Sequence, residues 1–539
     1  MAAIIFFMTK VPKTPSAVHP FFSGKRASGI LAHITSLPSP FGTGDLGPDT
    51  WDFLDFLASS GQSYWQFLPT GPTDPLFGNS PYMTRSAFAG SPLLISPALL
   101  LDDDLITSEE LQEIPPFPEY RTDYPAVILA KKRLLQKAHS RFNPQQNTFL
   151  RFKQASPWLG DYTLFMACRE RFAGQSWTHW PKDISTRSPK AMLRLCREEQ
   201  KRIHFYEFEQ YEFYRQWQLL RDHAHRQGIQ LIGDIPFYVG MDSADVWANQ
   251  EIFDLDPLTR QPCSVAGVPP DYFSKTGQKW GNPLYRWHSK VLPVKEKLQN
   301  WWTSRFLAAY QLVDVVRIDH FRGFESYWSI PAEDETAMNG QWLPGPGKSF
   351  FTQLQQSIGP TPIIAEDLGE ITRAVTDLCD TFNFPGMKVL QFAFDHNPAN
   401  PFLPQNFTTR NCVAYTGTHD NDTTVGWFLD PELSDHDRQR IRSYVNQVQN
   451  CSHEIHEDFI YLAMSSIARL TIFPLQDVLG FGTDCRMNTP GTTSGNWAWR
   501  CGARFLSTEI AERLYQTTTL FNRSRTPGLP ENAFPESQP

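Results

Sequence analysis

Short apolar, β-branched segments recur along the chain and end repeatedly in polar or acidic residues followed by Gly or Pro. Eight can be counted, at 29–37, 63–68, 230–239, 314–321, 362–368, 388–394, 411–418 and 470–478. Amphipathic helical stretches lie between several of them, such as 50–60 after the first and 206–223 before the third. Strand and helix alternating eight times over predicts an α/β fold of the (β/α)8 TIM-barrel type.

The spacing is uneven. About 150 residues separate the second segment from the third and about 75 the third from the fourth, beyond any simple crossover. Large insertions are therefore expected after strands 2 and 3: a helical one over about 75–225, with runs such as 127–139, and a loop-rich one over about 241–300. The catalytic barrel would span 25–525, between a flexible N-terminal lead at 1–24 and a flexible tail at 526–539.

Composition narrows the classes further. Hydrophobic residues at 41% and charged residues at 20% of 539 exclude a disordered or collagen-like chain. The opening apolar run, 2–8, is far short of the roughly 18 residues a membrane span needs, so no membrane partner is expected and the cytoplasm is the expected compartment. With 49 Lys and Arg against 57 Asp and Glu, the net charge of -8 argues against nucleic acid as a partner. The eight cysteines form no C-x-x-C pair, and no zinc-type or calcium-type ligand spacing occurs, so no metal is implied. Aromatic residues reach 14%, which suits a large core or faces that stack on sugar rings.

In a (β/α)8 barrel, catalytic groups sit at the C-terminal ends of strands. The ionisable residues there are Asp234 in G-D-I-P, Arg317 and Asp319 in V-V-R-I-D-H-F, Glu366 in I-I-A-E-D-L-G, and His419-Asp420 in T-G-T-H-D-N-D. Strand alternation puts Arg317 and Asp319 on one side, so the cation is expected to orient the carboxylate and hold its pKa down. Glu366 follows an apolar run whose burial would raise its pKa towards that of a general acid. An ionised and a protonated carboxyl on neighbouring strands are the working parts of a retaining glycosidase, with Asp420 a third group for sugar hydroxyls. The competing reading is a plain ion pair and a helix cap. The G-x-G-x-x-G match at 42–47 is no dinucleotide fingerprint, because the next strand ends without the acid that would hold a ribose.

An ordered set of motifs runs through nearly the whole chain. It begins with R-A-S-G-I-L-A-H-I-T-S-L-P-S-P-F-G-T-G-D-L-G at 26–47, continues through S-P-Y-M-T-R-S-A-F-A-G, V-A-G-V-P-P-D-Y-F-S, W-G-N-P-L-Y-R-W and P-G-M-K-V-L-Q-F-A-F, and ends with M-N-T-P-G-T at 487–492. In these motifs the chain resembles the 4-α-glucanotransferases, the amylomaltases or disproportionating enzymes of the α-amylase clan. That resemblance implies transfer of α-1,4-glucan segments from a maltodextrin, glycogen or starch donor to the 4-hydroxyl of glucose or a maltooligosaccharide, with no cofactor and no C-terminal β-sandwich domain. It further implies Asp319 as nucleophile, Glu366 as acid/base and Asp420 as transition-state stabiliser. Arg317 would orient the nucleophile. Tyr82, Asp234, His419 and Asn488 would line the subsites around the cleaved bond, Asp271 and Trp280 would contact glucan, and Phe392 would add apolar wall. The loop at 265–274 is the expected lid. Met83-Thr84-Arg85 departs from the family's pattern and would alter a sugar subsite. An α-amylase-type hydrolase shares the three carboxylates, and a catalytically silent glycan-binding protein would lack them.

Overall fold

Seven of the apolar segments and the residues just before the sixth, 388–394, form eight parallel strands in the computed structural model, which describes residues 25–270, 274–445 and 454–524. They are β1 (Ala27–Leu31), β2 (Tyr64–Gln66), β3 (Gln230–Ile235), β4 (Val315–Ile318), β5 (Ile363–Ala365), β6 (Gly386–Val389), β7 (Cys412–Tyr415) and β8 (Leu470–Pro474). Their order is β6-β7-β8-β1-β2-β3-β4-β5. The remaining seam is bridged by the Ala365 N–H donating to the Pro385 carbonyl at 2.9 Å. The expected (β/α)8 barrel is borne out. The strands are buried along nearly their whole length, as parallel strands covered by helices must be. The expected lead at 1–24 lies outside the described residues, as does the tail at 526–539.

Three segments end differently from their apolar pattern. The first passes into a 3-10 turn at Ile34–Ser36, the sixth into another at Leu390–Phe392, and the eighth into a helix at Leu475–Leu479. These turns are themselves almost wholly buried, so the apolar run continues after the strand has stopped.

Between β2 and β3 the chain is mainly helical, from Pro97–Asp102 to the 27-residue helix Gln200–Arg226 that leads into β3. Its core is aromatic, with Phe142 packed on Phe149, Phe208 and Tyr211. The segment between β3 and β4 is less loop-like than its composition suggests. Ser264–Val268 and Gln278–Pro283 are antiparallel strands, joined by Ser326–Pro331 and Gln341–Pro344 into a separate four-stranded sheet. The last two strands come from a third excursion, after β4, which the sequence pattern does not reveal. Ser264–Val268 pairs on both sides. The first four residues of the expected lid at 265–274 are therefore part of a hydrogen-bonded inner strand rather than a free loop.

Candidate active site

Strand register delivers the two central carboxyls side by side. Ile318 of β4 pairs with Ala365 of β5, and the next residue on each strand is Asp319 and Glu366. The backbone continues the ladder: the Asp319 N–H donates to the Ile235 carbonyl at 3.0 Å and the Glu366 N–H to the Ile318 carbonyl at 3.1 Å. Neighbouring strands lie roughly 4.8 Å apart, so both carboxyls leave the barrel through one opening. On the other flank Asp234 of β3 is in register with Arg317 of β4.

Arg317 is the hub of this floor. Its Nη1 donates to Asp234 Oδ2 at 2.5 Å and to Asp319 Oδ1 at 3.2 Å. Asp234 Oδ2 also accepts the Tyr82 hydroxyl at 2.8 Å. With its proton engaged there, the Tyr82 oxygen is left to accept from His419 Nε2, 2.9 Å away. The Tyr82 and His419 rings stack at 5.2 Å, and Trp497 packs on both. Below them, the buried Tyr415 hydroxyl donates to Gln66 Oε1 at 2.9 Å inside the barrel.

Glu366 is held by backbone: Oε2 accepts the His320 N–H at 2.8 Å and Oε1 the Leu368 N–H at 3.1 Å. His320 directs its N–H this way from a left-handed backbone, φ 51°. Asp420 follows β7 and is the most exposed of the trio. Asn488 Nδ2 donates to its Oδ1 at 2.6 Å, and Arg486 Nη2 to its carbonyl at 2.7 Å.

The electrostatics differ from the expectation at one point. Arg317 does pull the Asp319 carboxyl down, but burial and the nearby Asp234, Glu366 and Asp420 carboxyls outweigh it, and Asp319 titrates well above the ordinary carboxylate range. The guanidinium is engaged more closely by Asp234 than by Asp319, which explains why its effect is diluted. Burial raises Glu366 as well, against Arg317 and the two backbone donors. Glu366 is among the charges that raise Asp319, and two carboxyls that interact in this way lose their protons in steps that belong to the pair. Asp319 keeps 31% of its side-chain surface open to the cleft, enough for a reacting carbon to reach it. Burial lowers His419, and His33 is pushed down to about 3, first by burial and then by His419, so both imidazoles stay neutral.

Trp280, half-buried in Gln278–Pro283, meets the His320 ring edge-on at 5.0 Å and so reaches the site. Phe392 stands at the same end of the barrel, after β6, with its ring on Phe402 at 5.7 Å rather than within the hydrogen-bonded group. Asp271 lies outside the described residues. Of the departing stretch Met83-Thr84-Arg85, Thr84 lines a cavity together with Tyr82 and Asp234, and Arg85 is buried. Three neighbours that the strand-end argument misses are Trp497 and Arg486, from the segment after β8, and the His320 backbone. Sequence proximity hinted at two of them: Arg486 lies two residues before Asn488, and His320 directly follows Asp319. Among the described residues, no group of three or more His, Cys, Asp or Glu side chains is arranged to hold a metal.

Comparison with known proteins agrees with this architecture. A family profile described as 4-alpha-glucanotransferase matches residues 32–505. The chain is 50% identical over 506 residues to a 4-alpha-glucanotransferase of Synechocystis sp., covering 93% of this chain and 98% of that one. It is 44% identical to that of Thermus thermophilus, covering 91% and 97%. The solved structure of an amylomaltase from Streptococcus agalactiae in complex with acarbose superposes with a TM-score of 0.88 at 36% identity, covering 93% of this chain and all of that one.

Proposed function

The chain belongs to the 4-alpha-glucanotransferase family, and from that premise we propose that its three carboxylates transfer α-1,4-glucan segments by a retaining double displacement. Asp319 attacks the anomeric carbon of the donor while Glu366 protonates the departing glycosidic oxygen, leaving a β-glycosyl ester on Asp319. Glu366, now ionised, takes the proton of an acceptor 4-hydroxyl, which displaces Asp319 with net retention. The acceptor is glucose or a maltooligosaccharide. Asp420, held by Asn488, binds sugar hydroxyls whose hydrogen bonds strengthen in the transition state, and Arg317 aims the Asp319 carboxylate. Tyr82, Asp234, His419, Trp280 and Phe392 form the walls, with Asp271 as a further glucan contact.

The observation that carries this reading is the pairing of Asp319 and Glu366 directly beyond the Ile318–Ala365 register pair. The double displacement needs one proton on this pair, carried by Glu366 as the acid with Asp319 as the anionic nucleophile. The expected compartment is the cytoplasm. In support, Cys168, Cys196, Cys263, Cys379, Cys412, Cys485 and Cys501 are all free. No helix among the described residues is long and apolar enough to cross a membrane. The test is incubation of the purified protein with maltotriose while total reducing ends are followed. Longer maltodextrins plus glucose at constant reducing ends are the predicted outcome. A steady rise in reducing ends would make it a hydrolase.

A further inference from the structure

The stretch Met83-Thr84-Arg85 ends in a guanidinium turned into the protein. Arg85 is 3% exposed. Its Nη1 donates to the Asp242 side chain at 2.7 Å and to the Asp242 carbonyl at 2.8 Å, and its Nη2 pairs with Asp74. Arg169, in the last turn of the helix Leu159–Arg171, pairs with the same two carboxylates. Two cations and two anions thus form a neutral cluster whose side chains are only 4% to 14% exposed. They come from three segments: the stretch 72–86, which carries both Asp74 and Arg85, the helix Leu159–Arg171, and the turn after β3.

Burial makes this cluster demanding. A charge removed from water stays favourable only while its partners are in place. Burial, and then Arg169, lower Arg85 to about 10, so it remains a cation near neutral pH. The neighbouring backbone is tied to it as well. The Arg85 N–H donates to the Pro72 carbonyl at 3.0 Å, and the Ala244 N–H to the Arg85 carbonyl at 2.9 Å. Asp242 also accepts the Trp177 N–H at 3.2 Å, and Asp74 accepts the Leu76 N–H at 2.7 Å.

The same two segments meet again at the catalytic floor. Tyr82, three residues before Arg85, donates to Asp234, eight residues before Asp242. The loop carrying Tyr82 is therefore clamped to β3 and its following turn at two points, one facing the cleft and one buried behind it. We propose that Arg85 is a positioning residue for transfer: its bridge from Asp242 to Asp74 sets the Tyr82 hydroxyl on Asp234 and His419, and through Asp234 the hold of Arg317 on Asp319. This rests on the reading that Tyr82 serves the sugar site.

A double-mutant cycle tests it. Maltotriose disproportionation is measured for the wild type, Arg85→Gln, Tyr82→Phe and the double variant, with kcat and KM separated and the thermal midpoint recorded for each. Should Arg85→Gln not fold, the charge-balanced Arg85→Gln/Asp74→Asn variant takes its place in the cycle. The proposal predicts that each single change lowers kcat/KM about tenfold, as misplacement of a contact group does, and that the double variant is no worse than Tyr82→Phe alone. Losses that multiply would show that Arg85 acts only through the fold and would overturn the proposal. An unimpaired Tyr82→Phe would instead overturn the reading of Tyr82 on which it rests, and wild-type kinetics in Arg85→Gln alone would overturn the proposal and leave that reading standing.

Discussion

Replacing Arg317 with Met removes the guanidinium that faces both Asp234 and Asp319 and leaves two carboxylates without it. The Asp234 side chain is fully buried and that of Arg317 is 4% exposed, so water cannot replace the lost partner. Removing one member of a buried pair costs about 3–5 kcal/mol, and with a urea m-value of about 3 kcal/mol/M or more the unfolding midpoint falls by about 1 M. The loss also depends on pH, with a definite sign. Asp319 and Glu366 have folded-state pKa values above their unfolded ones, so in the window between the two the folded protein binds more protons and its stability falls as pH rises. Arg317 is what restrains both carboxyls, and its removal pushes them higher still. The destabilisation relative to wild type is thus larger at about pH 8 than at about pH 5. Tryptophan fluorescence reports the unfolding, since 16 Trp are spread along the chain. A loss of the same size at both pH values, or no loss, would refute the argument that Arg317 holds these anions together.

Asp234→Asn removes a negative charge that raises both Asp319 and Glu366 and frees Arg317 for Asp319. The alkaline limb of kcat/KM against pH should therefore move to lower pH, and a limb that stays in place or moves up contradicts the assigned coupling. Gly386 stands beside the one barrel seam without a strand ladder, and a Cβ there would lie 2.1 Å from Asp367 Oδ2. Gly386→Ala must displace the carboxylate that accepts the Met387 N–H at 2.6 Å, lowering stability by about 1–3 kcal/mol; an unchanged unfolding midpoint would show that the seam tolerates the shift.

The barrel was legible because buried parallel strands leave unbroken apolar runs, and the carboxylates because they stand at the ends of those runs. Strand ends were less legible. Leu475 and Val478 are as buried as the strand before them, so hydrophobicity cannot tell the helix at Leu475–Leu479 from β8. The antiparallel sheet was hidden because its strands come from two separate excursions and Ser264–Val268 is irregular between Val265 and Gly267. Asp319 shows the limit of reading a pair in isolation: Arg317 lies two residues away in sequence, but its tighter partner, Asp234, comes from the neighbouring strand. Trp497 reaches Tyr82 across more than four hundred residues, a distance no local pattern encodes.

The assignment of Asp319 as nucleophile is tested most directly by trapping its ester. Glu366→Gln, which lacks the acid and base, is incubated with an α-maltosyl fluoride, whose leaving group needs no proton, and the digested protein is examined by mass spectrometry. The account predicts that the peptide containing Asp319 gains the mass of the transferred sugar and that Asp319→Asn abolishes the adduct. A sugar carried on Asp420 or another residue, or retained transfer by Asp319→Asn, would contradict it.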